Sequence, residues 1–377
     1  MTRIPVIFAI LVLPALYAQS KPQSGAQSTN ASLEELKKKA AAGDRASQYS
    51  LGEDFRLGLG GAAPDGAEAE RYYKMAAEQG MPEAQHALAI LYYEGDMIPR
   101  NYPEALRWFR AAADQGLPES KFYIGVIYDR GLGVPQDNKE AERWYKITAD
   151  LKMADGEFNL GVMYANGFGV EKNYAEAARL YRLAAEQRAL PEAEFNLAAL
   201  YDAGLGVPQD HKEAARWYRE AADQGHADAQ FNIGLMYASG QGVPQNFAEA
   251  AKWYRMAAEQ GQVEAAYNLG VMYAEGQGVA QDFREAARLY RAAAEQGHSD
   301  AQFNLGGMYA TGRGASRDDV EAYKWVAMAA AKGDRDAARA MDRLAGRMSP
   351  GQVQDAKQRM AAWTPCKSKI ECDIRLK

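Results

Sequence analysis

Apolar residues recur with helical spacing along most of the chain, in a pattern that repeats every 36 or 37 residues. Each repeat contains Leu or Ile followed by Gly or Ala, and an aromatic residue three positions later. A glycine-rich turn comes next, followed by a segment rich in alanine and aromatic residues. Periods of this length are typical of stacked helical units, none of which can bury its apolar face alone. The pattern predicts an all-α solenoid of about eight helix-turn-helix repeats over residues 45–333.

The start of every second helix carries a capping signal. Asp or Asn is followed three positions later by Glu, as in Asp210 and Glu213. The first side chain can accept from the amides of the first turn, and the Glu can reach back to the amide of the cap residue. Arg or Lys three positions after each Glu predicts a solvated outer face.

Gly-x-Gly turns such as Gly240 and Gly242 separate the two helices of most repeats. They also occur in phosphate-binding loops, but here no strand precedes them and no Lys-Ser/Thr follows them. We therefore interpret these glycines as residues of positive φ that end the first helix and form the turn. Lys152 and Arg188 replace the glycine that ends the second helix elsewhere, so these two junctions are expected to differ.

Both ends of the array are predicted to carry caps, namely a helix over residues 32–44 and further helices over residues 334–363. Ser349 and Pro350 open the last of these helices. At the start of the chain, Arg3 precedes an apolar run of about 15 residues from Ile4 to Ala18. This run is too short to span a bilayer and predicts a signal peptide over residues 1–18.

Cleavage after Ala18 would leave a flexible linker over residues 19–31 and a periplasmic or secreted protein without stable membrane insertion. An uncleaved anchor is the alternative. Cys366 and Cys372 lie in the tail formed by residues 364–377. They could form a disulfide in an oxidising compartment, or remain two free thiols.

Charge and motif content limit the function classes. The net charge of −6 and the pI of about 5.5 disfavour a nucleic-acid partner. The four histidines show no metal-ligand spacing, and no hydrolase or calcium-loop motif occurs. We therefore expect no metal, no cofactor and no catalytic role.

The middle of the array resembles the Sel-1-like repeat, an α/α repeat related to the tetratricopeptide repeat. The residues that carry the resemblance are Phe231-Asn232-Ile233-Gly234-Leu235-Met236-Tyr237, Gly240-x-Gly242-Val243-Pro244-Gln245-Asn246, and Trp253-Tyr254 followed by Ala257-Ala258 and Gly261. The resemblance implies a right-handed superhelix whose first helices line a concave groove. It also implies an adaptor or scaffold role.

Two columns of residues on the first helices are candidates for binding a partner in that groove. The aromatic column comprises Phe158, Phe195, Phe231, Tyr267 and Phe303, and the amide column comprises Asn159, Asn196, Asn232, Asn268 and Asn304. Asparagine amides both donate and accept, so a row of them suits the backbone of an extended peptide. Aromatic residues are common in binding surfaces. Both columns could instead serve packing between helices.

The sequence thus favours an exported scaffold that binds a protein or peptide, with its oligomeric state left open. The alternative is a cell-wall-directed protein, either a β-lactamase-like enzyme or a peptidoglycan binder. The β-lactamase-like relatives resemble arrays with a cysteine pair in every repeat, and the repeats here contain no cysteine.

Overall fold

The computed structural model describes residues 33–188 and 190–366, in which every regular element is an α-helix. In chain order, helices α1 to α19 span Leu33–Ala41, Arg45–Leu57, Gly66–Glu78, Pro82–Glu94, Tyr102–Asp114, Pro118–Arg130, Asn138–Asp150, Ala154–Asn166, Tyr174–Gln187, Pro191–Ala203, His211–Asp223, Ala227–Ser239, Phe247–Glu259, Val263–Glu275, Phe283–Glu295, Ser299–Thr311, Asp319–Ala331, Arg335–Ala345 and Pro350–Ala362.

The helices form repeats 1 to 8, from the pair α2/α3 to the pair α16/α17. The chain divides into an N-terminal unit that ends at Ala193 and a C-terminal unit that begins at Glu194, so the boundary falls within α10. Within each unit the two helices of a repeat pack together, and each second helix packs against the next first helix. This stacking buries alanine and aromatic side chains, including Trp217, Trp253 and Trp325.

The second helices begin at the predicted cap residues. Asp210 accepts from the amides of Lys212 and Glu213 at 2.9 and 3.1 Å. The expected return contact from the Glu to the cap amide is not formed in the second helices within residues 33–188 and 190–366, whereas the C-terminal capping helix α19 has a reciprocal capping box between Ser349 and Gln352. In α11 the Glu213 carboxylate instead pairs with Arg216 at 3.3 Å. The basic residue one turn later attracts the carboxylate away from the cap, and the same pairing recurs along the array.

The two glycines of a Gly-x-Gly turn have different surroundings. Gly240 ends α12 with φ +74°, as predicted. Gly242 has the same φ, and a Cβ there would lie 2.0 Å from the carbonyl oxygen of His211 in the preceding repeat. The second glycine therefore permits close contact between repeats, in addition to forming the turn. Of the two unusual junctions, Lys152 keeps a positive φ of 58°, whereas Arg188 is extended at φ −141°.

The glycine within the first helix makes room for an aromatic ring from the second helix. A Cβ on Gly234 would lie 2.8 Å from the ring of Tyr254, and one on Gly161 would lie 2.8 Å from the ring of Tyr181. The recurring Leu-Gly pair is thus a packing feature, because the glycine lets the two helices of one repeat approach closely.

The ends of the chain are described in part. The C-terminal segment after α19 lies against α15, where the indole of Trp363 donates to Glu295 at 2.9 Å. The Cys366 amide donates to the Glu295 carbonyl oxygen, also at 2.9 Å. Cys372 and the predicted signal peptide and linker lie outside the described residues. The disulfide and the signal peptide therefore stay predictions.

Candidate functional site

Most of the predicted aromatic column is core. Phe158, Phe195 and Phe231 are at most 7% exposed. Their ring centroids lie 5.7–5.8 Å from those of tyrosines on the second helix of the same repeat. Tyr267 and Phe303, which continue the column in repeats 7 and 8, are only partly buried.

The side chains of the amide column also become more exposed towards the C-terminal repeats. Asn159, Asn196, Asn232 and Asn268 are 0%, 3%, 8% and 8% exposed, whereas Asn304 is only partly buried. The Asn159 amide donates to the carbonyl oxygen of Asp155, one turn earlier in its own helix, at 2.8 Å. A partner would have to displace packed side chains to reach the four buried amides. Binding by the whole column stays a prediction, and its accessible members are Tyr267, Phe303 and Asn304.

Two of these accessible residues, Tyr267 and Asn304, belong to a set of contacting side chains that we call the tyrosine–asparagine cluster. The cluster comprises Tyr267, Tyr290, His298 and Asn304. The Tyr267 ring stacks on the His298 ring with centroids 4.5 Å apart and lies 5.9 Å from the Tyr290 ring. Burial raises the pKa of both tyrosines, and interaction with Asn304 opposes that rise. The amide of Asn304 therefore acts on both hydroxyl groups.

His298 fixes the geometry at the start of α16. Its Nδ1 accepts from the amide of Ala301 at 3.1 Å, and its Nε2 lies 3.0 Å from a Glu264 carboxylate oxygen. Because Nδ1 accepts, Nε2 carries the hydrogen and donates to Glu264. This hydrogen bond lowers the pKa of Glu264. The carboxylate is thus held ionised at the edge of the cluster.

The capping role of histidines at the start of first helices was not predicted from the sequence. His226 takes the same role in repeat 6, since its Nδ1 accepts from Ala229 at 3.2 Å. Its ring stacks on Phe195 with centroids 4.6 Å apart. His226 and His298 occupy equivalent positions two repeats apart, and this was the sequence signal that could have revealed their shared role. The tyrosine–asparagine cluster thus offers an aromatic face and an amide, with the Glu264 carboxylate at its edge, and these groups suit recognition of a polypeptide.

His86 occupies the aromatic-column position of repeat 2 and is buried. Its Nδ1 lies 2.8 Å from the Ser120 hydroxyl, and its ring contacts Phe109 and Tyr123. Burial lowers its pKa from 6.5 to about 4. The native state therefore holds a neutral imidazole where the unfolded chain would bind a proton.

We expect the free energy of unfolding to fall by about 2 kcal/mol between pH 7 and pH 5 because of His86. Its folded pKa is depressed, so its contribution is lost as the pH falls from 6.5 towards 4. Urea unfolding at both pH values measures this loss, and the His86→Phe variant should show a correspondingly smaller one. Equal losses in the two proteins would show that the imidazole titrates normally in the fold.

No group of three His, Cys, Asp or Glu residues within residues 33–188 and 190–366 is placed to hold a metal ion. No helix in the same ranges is long and apolar enough to cross a membrane.

Comparison with known proteins identifies the repeat. The Sel1 repeat model matches residues 45–81, 82–117, 118–153, 154–188, 191–226, 227–262, 263–298 and 299–334. No curated protein matches the chain.

Two solved structures support the match. A Sel1 repeat protein from Oxalobacter formigenes is 33% identical, with 82% of this chain and 89% of that chain covered and a TM-score of 0.63. A protective antigen of uropathogenic Escherichia coli strains, which displays an SLR fold, is 26% identical, with 91% and 96% covered and a TM-score of 0.56. The all-α repeat solenoid predicted from the sequence is confirmed, and the chain belongs to the Sel1 repeat family.

Proposed function

We propose that this protein is an exported scaffold that binds an extended segment of a partner protein on the first-helix surface of its C-terminal unit. Sel1 repeat proteins are generally protein–protein interaction scaffolds and are generally not enzymes. Export follows from the signal-peptide prediction for residues 1–18. The proposed contact centres on Tyr267, Phe303 and Asn304.

The choice of this first-helix surface rests on a difference in burial along the aromatic and amide columns. Equivalent positions are filled by buried side chains in repeats 4 to 6, whereas Tyr267 in repeat 7 and both Phe303 and Asn304 in repeat 8 are only partly buried. The accessible part offers an amide that can pair with peptide groups and rings that can cover apolar side chains. Glu264, Glu275 and Asp300 act electrostatically on Tyr267, so the surroundings are acidic and favour a segment that carries basic residues.

Substitution within the cluster tests the proposal. Cross-linking in the native cells, followed by mass spectrometry, identifies the partner, and titration calorimetry then measures its affinity. We expect Tyr267→Leu combined with Asn304→Ala to weaken binding about 30-fold, which corresponds to roughly 2 kcal/mol for the loss of central contact residues.

Arg288→Ala is the matched control, because Arg288 is exposed and paired with Glu285 on the second helix of repeat 7. Urea unfolding of each variant gives the fraction folded, so affinity is expressed per folded molecule. An unchanged affinity for the double variant, or an equal loss in the control, would place the partner elsewhere.

A further inference from the structure

Three successive first helices of the C-terminal unit, α12, α14 and α16, begin with the same type of cap. The side chain at the N-cap accepts a hydrogen bond from the backbone amide three positions later, which would otherwise lack a partner in the first turn. The pairs are His226 with Ala229 at 3.2 Å, Gln262 with Ala265 at 2.7 Å, and His298 with Ala301 at 3.1 Å. Histidine changes its charge between pH 5 and pH 8, whereas glutamine does not.

The cap at the start of α16 requires a neutral His298. Its Nδ1 accepts from the Ala301 amide, and its Nε2 already carries the hydrogen that is donated to Glu264 at 3.0 Å. A second proton must therefore bind to Nδ1, where it would point at the amide hydrogen of Ala301. The charged ring can no longer accept this bond. It also places a positive charge at the N-terminus of α16, where the helix dipole is unfavourable to a cation.

The residues around the ring favour its charged form. From α14, the Glu264 carboxylate accepts from the ring, and Tyr267 stacks on it with centroids 4.5 Å apart. The hydrogen bond from His298 lowers the pKa of Glu264, so this carboxylate stays ionised as the pH falls towards 5. Asp300, in the first turn of α16, adds a second negative charge. A protonated ring would thus keep its contact with Glu264 while it loses the Ala301 amide.

Ionisable groups of α15 and α17 complete the surroundings. Lys332, at the end of α17, donates to the carbonyl oxygen of Gly297, the residue before His298. Glu295, at the end of α15, accepts from the indole of Trp363 at 2.9 Å. These contacts hold the chain on either side of the histidine, so the change in hydrogen bonding on protonation falls on the first turn of α16.

We propose that His298 is a pH-sensitive positioning residue for the partner-binding surface, and that its protonation weakens the binding of a basic segment. This inference rests on the function proposed for the tyrosine–asparagine cluster. Loss of the cap loosens the first turn of α16, and Asn304 lies in the turn that follows. The added positive charge also opposes the acidic surroundings of Tyr267, which favour basic residues. Both effects lower the affinity as the pH falls.

Nuclear magnetic resonance of the full chain without a partner tests the pH response of the cluster. We expect the backbone amide of Ala301, the side-chain amide of Asn304 and the ring signals of Tyr267 to titrate together between pH 8 and pH 5. His298→Gln should abolish these titrations, because glutamine forms the same cap at Gln262 and gains no proton in this range.

His226→Gln is the matched control, because it makes the same change two repeats earlier. It should remove any titration of the Ala229 amide and leave those of Ala301, Asn304 and Tyr267 intact. Signals of Asn304 and Tyr267 that are constant with pH in the natural protein, or that titrate equally in His298→Gln, would overturn the proposal. If His298→Gln fails to fold, the natural protein still decides, since the Ala301 amide should titrate and the glutamine-capped Ala265 amide should not.

Calorimetry with the partner identified by cross-linking then measures the effect on binding. The affinity of the natural protein should fall about fivefold from pH 8 to pH 5, the size expected for loss of one N-cap, and His298→Gln should remove this dependence. An equal fall in both proteins would refute the role of His298. Normal binding by the Tyr267→Leu, Asn304→Ala protein would instead refute the proposed function, so the two failures are distinguishable.

Discussion

Replacing Gly314 by Ala is expected to lower the free energy of unfolding by about 3 kcal/mol, one of the two largest effects that we predict for a single substitution. Gly314 has φ +73°, a conformation that costs an L-residue roughly 1 kcal/mol or more. An added Cβ would also lie 1.9 Å from the carbonyl oxygen of Phe283 in the preceding repeat. Since a backbone atom cannot rotate away, the two repeats must separate, which adds strain of roughly 1–3 kcal/mol.

Substitution of Gly312, in the same turn, distinguishes the cost of the positive φ from the cost of the close contact between repeats. It has the same φ of +73°, but its nearest neighbour would be a Cβ of Arg317 at 3.5 Å, an ordinary contact. Gly312→Ala should therefore cost only about 1 kcal/mol. Urea unfolding of both variants, followed by circular dichroism, measures the difference. Equal losses would mean that close contact between repeats contributes nothing beyond the turn conformation.

Gly306→Ala and Gly307→Ala should change stability in opposite directions, although the two residues are adjacent in α16. A Cβ on Gly306 would lie 2.5 Å from a methyl group of Val326 and 3.0 Å from the Ala322 carbonyl oxygen. Overpacking of this kind costs roughly 1–3 kcal/mol. Gly307 has nothing within 4 Å, so alanine there gains the helix propensity that glycine lacks, about 0.5–1 kcal/mol.

Thermal unfolding of the two variants shows directly whether each substitution raises or lowers stability. The midpoint should fall for Gly306→Ala and rise for Gly307→Ala. A rise for both would show that the glycine of the Leu-Gly pair is not required for close packing of the two helices. Ala198 stands at the equivalent position of repeat 5 and is fully buried, so alanine is accommodated where the surrounding residues fit it.

The order and bounds of the helices were predictable from sequence because they follow from local rules. Cap residues such as Asp210 and turn glycines such as Gly240 act within a few residues of their own position. The contact of Gly242 with the preceding repeat could not be deduced, since it depends on how two repeats dock. The same limit applies to the hydrogen bond from His298 to Glu264 in the repeat before it, whereas the capping contact of His298 with Ala301 is local.

The positions in each repeat that form the candidate site could be predicted from the sequence, but the exposure of each copy could not. Asn232 and Asn304 occupy the same position in their repeats, yet the first is 8% exposed and the second is only partly buried. Burial of a first-helix residue depends on the side chains that neighbouring repeats place over it, and these differ along the array. A repeated residue therefore marks a shared position, while the structure decides which copies a partner can touch.

Hydrogen exchange of the partner complex is the most direct test of the binding claim. We expect the identified partner to slow exchange in α14 and α16, around Tyr267 and Asn304, and to leave exchange at the start of the second helix near Glu285 unchanged. Protection confined to the second helices, or none in α14 and α16 at saturating partner, would contradict it.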